Sequence, residues 1–226
     1  PMAGVTNTDW SWSPLLVDLD LDGYKDLFIS NGMRKNTNNN DFIAYKDNRI
    51  QEESKKANPD AESLIRDILN SLPTEKAVNL VFKNLNGLIF ERYNEIWGVT
   101  EPSYSNGAAY ADFDNDGDMD FIFNNIDQEA HLYRNNASRI TGNHFLRVRL
   151  RGNSANLNGI GAKVMVQTGD EKQYLEQHVS RGYQSSVDYT LHFGLGQREV
   201  IDLLKVTWPD GRVSELTNIA ADQLVS

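Results

Sequence analysis

Two stretches of this chain place carboxylates at alternate positions ahead of a glycine. Residues 18–26 supply Asp18, Asp20, Asp22, Gly23 and Asp26; residues 112–120 supply Asp112, Asp114, Asp116, Gly117 and Asp120. Both read D-x-D-x-D-G-x-x-D. A hard cation such as Ca2+ takes roughly six to eight oxygen ligands, and alternate aspartates on a curled loop present them. Glycine at the sixth position allows the positive φ that such a turn needs. Carboxylates this close repel one another unless a cation lies between them. The expectation is two Ca2+ sites. The side-chain ligands are Asp18, Asp20, Asp22 and Asp26 in one, and Asp112, Asp114, Asp116 and Asp120 in the other. The main-chain carbonyls of Tyr24 and Asp118 join them at the seventh position.

The flanks decide which kind of loop this is. An EF-hand needs a bidentate Glu at its twelfth position and a helix on either side. Here the twelfth residues are Ile29 and Phe123. Leu15-Leu16-Val17 and Ala109-Tyr110-Ala111 precede the loops; Leu27-Phe28-Ile29 and Phe121-Ile122-Phe123 follow them. These are apolar strand formers, so each unit reads strand–loop–strand. Asn79–Lys83, the Asn86-Gly87 turn and Leu88–Glu91 read as a hairpin. Ala108–Ala111, Phe121–Asn124 and His131–Arg134 read as further strands. Between the loops, Asn58 with Pro59 predicts a helix start, and Leu64, Ile65, Ile68, Leu69 and Leu72 fall on one helical face before Pro73. Asp41–Lys56 is helix-compatible as well. The two helices are expected to pack over the strands, with a lid as the alternative.

The second half alternates in the manner of half-buried strands: Asn143–Arg151, Lys163–Gln167, Tyr174–Val179, Val200–Trp208 and Arg212–Glu215, with a Pro209-Asp210-Gly211 turn. Trp208 is expected in its core.

The paired Asp loops resemble FG-GAP/VCBS repeats, the blades of calcium-binding β-propellers. Several stretches of the second half resemble the ASPIC/UnbV domain of proteins like cartilage acidic protein: Asn158–Val164, Arg181–Asp188, Leu191–Gly196 and Trp208–Gly211. The implied fold is mainly β: about two blades over residues 1–142, with a helical insertion at about 34–77, then an all-β ASPIC/UnbV module over 143–226. The loops are 94 residues apart, against ~40–50 residues for a blade, and the insertion accounts for the surplus. Two blades cannot close a ring of at least about four. The remainder of a longer chain, or a protein partner, is therefore expected on the open edges, and Asn7–Trp12 reads as blade interior. The resemblance implies a calcium-stabilised, non-enzymatic binding or adhesion module, extracellular or at the cell surface, in bacteria often outer-membrane-associated or secreted. The alternatives are a scaffold subunit of an outer-membrane surface complex and an accessory protein in a biosynthetic pathway.

Composition narrows the classes. The formal charge is −10. Residues 143–226 hold nine basic and nine acidic residues, so the excess lies in residues 1–142, with 13 basic against 23 acidic. Nine of those acids are in the two loops. Such a chain repels nucleic acid. There is no cysteine, which excludes disulfides, thiolate metal sites and cysteine nucleophiles. No apolar run reaches the ~18 residues of a membrane helix. Neither a G-x-S-x-G elbow nor an H-E-x-x-H pair occurs. His178, Ser180 and Asp188 are the residues a hydrolytic triad would draw on, and the expectation is that no catalytic residue is present. Arg181, Tyr183 and Gln184, with Ser185 and Ser186, combine donors, an aromatic face and hydroxyls. They are the candidate contacts for a carbohydrate ligand, against the alternative that Arg181 and Tyr183 pack in a seam between the two halves.

Overall fold

Apolar side chains on either side of each Asp loop pair as antiparallel hairpins. The computed structural model describes residues 3–6 and 8–226; Pro1, Met2 and Asn7 lie outside it. Strand β1 (Ser11–Val17) enters the first loop and β2 (Asp26–Asn31) leaves it, with Val17 opposite Asp26. Helices α1 (Asn40–Ser54) and α2 (Ala61–Asn70) come next. They lead to β3 (Ala77–Val78), β4 (Leu80–Asn84), β5 (Phe90–Arg92), the short α3 (Asn94–Trp97) and β6 (Pro102–Ser103). Strand β7 (Ser105–Ala111) enters the second loop and β8 (Asp120–Asn125) leaves it, with Ala111 opposite Asp120. Then come β9 (His131–Tyr133) and α4 (Ala137–Thr141).

The two loop units share one register. Leu27 faces Phe82 on β4, and Phe121 faces Tyr133 on β9. The sheets run β1-β2-β4-β5 and β7-β8-β9. What separates the units is therefore the helical pair, placed between the second and third strands of the first one. The inner faces of the two sheets meet through Leu15, Val17, Phe28 and Val81 on one side and Ala108, Phe121 and Phe123 on the other. Phe28 stacks on Phe121 and Phe123 at 4.7 and 5.5 Å. Each such aromatic contributes about 1.5–3 kcal/mol through burial.

The helices form where expected, with one shift at a boundary. Asp60, not Asn58, caps α2: its carboxylate accepts the Ser63 N–H at 3.0 Å. Asp is as good a cap as Asn and stands closer to the apolar stripe. That stripe is only partly covered, because Ile65 and Leu69 remain 58% and 55% exposed. The helices bind each other, with Arg49 on Asp67 at 2.8 Å. The ends of the insertion meet: the Asn36 N–H donates to the Pro73 carbonyl at 2.9 Å, and Met33 bridges to Glu75.

The second half forms two sheets around one core. Its strands are β10 (His144–Arg149), β11 (Lys163–Thr168), β12 (Glu171–Glu176), β13 (Thr190–Gly196), β14 (Val200–Thr207), β15 (Val213–Ala220) and β16 (Gln223–Val225). They order as β13-β10-β16 and β12-β11-β14-β15. Leu146, Val164, Phe193 and Ile201 are fully buried between the sheets, and Trp208 packs against them. The third strand starts and ends about three residues earlier than the Tyr174–Val179 pattern predicts, because pairing with Lys163–Thr168 sets its limits. The protein is mainly β, and no sheet closes into a barrel among the described residues.

Candidate metal centre

Each Asp loop is shaped by its own side chains before any ion is considered. Asp18 Oδ2 accepts the Gly23 N–H at 2.9 Å, and Asp112 Oδ2 accepts the Gly117 N–H at 3.0 Å. Asp22 and Asp116 accept the N–H two residues on, at 2.9 and 3.1 Å. Left-handed residues sit at the same two places, Leu21 and Asn115 with φ near 62°, and Gly23 and Gly117 with φ of 95°. This curl gathers Asp18, Asp20 and Asp22, and likewise Asp112, Asp114 and Asp116, so that one oxygen from each lies within 4.8 Å of the others.

The aspartates at the ninth position stand apart from these triads. Asp26 accepts the Leu19 N–H at 2.8 Å and the Asn84 N–H at 2.9 Å. Asp120 accepts the Phe113 N–H at 3.0 Å and the Asn135 N–H at 2.8 Å. Both tie the loop entry to the chain at the end of the third strand, and neither belongs to the cluster of three carboxylates in its loop. Asn84 and Asn135 complete the clasp by donating to the carbonyls of Lys25 and Met119 at 3.0 and 3.3 Å. Sequence reasoning missed these two asparagines. The signal was present as a basic residue followed by Asn at each third strand, Lys83-Asn84 and Arg134-Asn135.

Those basic residues matter too. Lys83 pairs with Asp20 and Asp22, and Arg134 pairs with Asp114 and Asp116, the equivalent positions. The second loop receives two more guanidiniums, Arg139 near Asp116 at 3.7 Å and Arg147 on Asp112. The first loop is less fully compensated. Asp18 is wholly buried, and its Oδ1 has no hydrogen-bond partner; Asp20 Oδ1 is orphaned as well. Burial pushes the Asp18 carboxyl up to about 6, aided by Asp22 and Asp20 and opposed by Lys25 and the Gly23 N–H. Burial also raises Asp22 and Asp116. A carboxylate oxygen shut away from water and from every donor, facing two more carboxylates, is matched by a cation.

Tyr24 is exposed at the loop surface. The Asp118 side chain is buried and accepts the Ser138 N–H and hydroxyl at 3.0 and 2.9 Å, anchoring the start of α4. Tyr183 lies in the seam between the halves: its ring stands 4.8 Å from Trp12, and its N–H donates to the Ser13 hydroxyl at 3.2 Å. Arg181 reaches the Glu176 carbonyl at 3.5 Å, where a seam carboxylate was the alternative. Gln184, left-handed with φ of 47°, borders an open cleft of about 690 Å³ with Trp12, Asn106, Asn124, Tyr183 and Ser185.

His192 joins the halves at both loops. It is buried; its Nε2–H donates to the Gly117 carbonyl at 2.7 Å, and the His192 carbonyl accepts from the Lys25 ammonium at 3.2 Å. Burial, with Lys25 and Arg147 nearby, lowers its pKa to about 3, so it is a neutral strand histidine.

Residues 152–226 match the family described as ASPIC and UnbV. The ASPIC/UnbV domain therefore includes six of the seven strands of the second half, β11 to β16, together with the motif around His192, and β10 extends its sheet on the N-terminal side. Over 109 residues, 47% of this chain, the sequence is 34% identical to Cartilage acidic protein 1 of Xenopus tropicalis; the chain spans 16% of that relative's length.

Proposed function

We propose that this chain is a calcium-stabilised binding module, non-enzymatic and extracellular or at the cell surface, in which two FG-GAP/VCBS-type blades of a larger β-propeller carry the ASPIC/UnbV domain. The orphaned, fully buried Asp18 Oδ1 among three carboxylates is the observation that carries the metal reading. Asp18, Asp20 and Asp22 would hold one Ca2+, and Asp112, Asp114 and Asp116 the other. Calcium would supply the positive charge that lets these carboxylates stay ionised while buried. The shared register of the two units and the insertion within one of them support a repeated blade. The cleft beside Trp12 and Tyr183, with amide and hydroxyl groups at its rim, suits a carbohydrate or peptide ligand.

The setting follows from mass action. With a Kd of about 10⁻⁵ M and millimolar calcium outside the cell, each site adds about 2.7 kcal/mol to stability. In a submicromolar cytosol the same site stays mostly empty. Calorimetric titration of the chelated chain, beside an Asp20→Ala, Asp114→Ala variant, tests this. Binding that the variant loses supports the reading; a folded native chain that takes up no calcium overturns it.

A further inference from the structure

We propose that the ASPIC/UnbV unit completes the first calcium loop, so that docking of this unit and calcium binding at Asp18, Asp20 and Asp22 strengthen each other. This rests on the calcium reading of that loop. The two loops have the same shape but different residues at its most demanding point. In the second loop the left-handed position holds Asn115, a residue that adopts this conformation readily. In the first it holds Leu21, for which the left-handed backbone is strained. Leu21 is fully buried, and its side chain packs against Ala137 and Phe145.

Contacts from the second half hold it there. The Gly196 N–H donates to the Leu21 carbonyl at 2.8 Å, and Asn143 Nδ2 donates to the Asp20 carbonyl at 2.8 Å. Strand β13 lies flat on the loop at Gly194, where a Cβ would stand 2.2 Å from Asp18 Oδ2 and 2.6 Å from the Leu21 backbone. The left-handed turn at Leu21 brings Asp20 and Asp22 round to face Asp18. A free loop would relax Leu21 and scatter the three carboxylates, whereas the docked unit pins them. Linkage is reciprocal: what pre-forms the cage for calcium is itself stabilised when calcium binds.

The experiment uses the full chain in an Asp114→Ala background, leaving the first loop as the calcium site. Calcium affinity is measured for this chain and for added Gly194→Ala or Asn143→Ala. Hydrogen exchange of the Gly196 amide is followed with and without calcium. The expected result is affinity lowered about tenfold by either substitution, and slower Gly196 exchange when calcium is present. Should Gly194→Ala fail to fold, the milder Asn143→Ala and the exchange measurement still decide. Equal affinity in all variants with unchanged Gly196 exchange overturns the coupling and leaves the calcium site standing. No uptake by a folded Asp114→Ala chain overturns the calcium reading of this loop and the coupling with it.

Discussion

Asp18 is the residue on which charge and burial conflict most directly. Without metal its carboxylate is held away from water with one oxygen unpartnered, so replacing it with a neutral isostere removes a penalty. With metal the same replacement removes a ligand. Asp18→Asn is therefore expected to melt at or above the native chain in chelator, and to lose the calcium-induced rise, about 2.7 kcal/mol at a hundredfold excess over Kd. Melts of both proteins with and without calcium check this crossing. The proton on Asp18 also opposes the ion. Because the carboxyl is raised from 3.8 to about 6, calcium affinity at this loop is expected to fall as pH drops below about 6, which titrations at pH 7 and pH 5 check. The His192 pKa is shifted the other way, yet its effect is also lost on acidification. Its folded pKa is lowered from 6.5 to about 3, so its contribution is full above 6.5 and is lost as pH falls through that window. In calcium-saturated protein, where metal has displaced the Asp18 proton, His192→Gln should flatten the fall in melting temperature between pH 6.5 and 4.

The helical insertion shows how little an element's own pattern says about its use. The apolar stripe of α2 predicts helix correctly, yet Ile65 and Leu69 stay exposed, because the helices pair with each other through Arg49 and Asp67. The close approach of Asn36 and Pro73 makes the insertion removable. Excising residues 37–72 and joining the ends by a short turn is expected to leave calcium affinity within about twofold, since long surface insertions alter loop-closure entropy only slightly. A titration of the deletion variant tests this; loss of calcium binding would show that the helices support the loop. The loop hairpins were legible because alternation, Asp spacing and glycine all act locally. The Asp26 and Asp120 clasps were not, since Asn84 ends one third strand and Asn135 follows the other, and the register of those strands depends on sheet pairing.

Across the whole protein, the interface between the halves depends on glycines that admit close neighbours, as Gly117 and Gly194 do, and a glycine in open space gives the comparison. Gly117 has φ of 95°, and a Cβ there would stand 1.9 Å from the Phe145 ring; Gly211 has φ of 87° and open space around it. Both alanine substitutions incur the left-handed penalty of about 1–2 kcal/mol. Gly117→Ala should cost at least about 1 kcal/mol more, because Phe145 must move. Denaturant melts of the pair isolate that difference, and equal losses would mean that the halves are not tightly packed at this point.

Sequence alone determined the clustering of carboxylates in the two loops, the strand–loop–strand units and the all-β second half, because these follow from residue type and short-range period. The tertiary structure decided which aspartates face one another, which clasp a neighbouring strand, and which basic side chains reach them. It also decided that Tyr183 rests on Trp12 and that His192 sits between both loops. Those contacts join residues up to 171 positions apart in the chain, Trp12 and Tyr183, where no local periodicity records which side chains will meet.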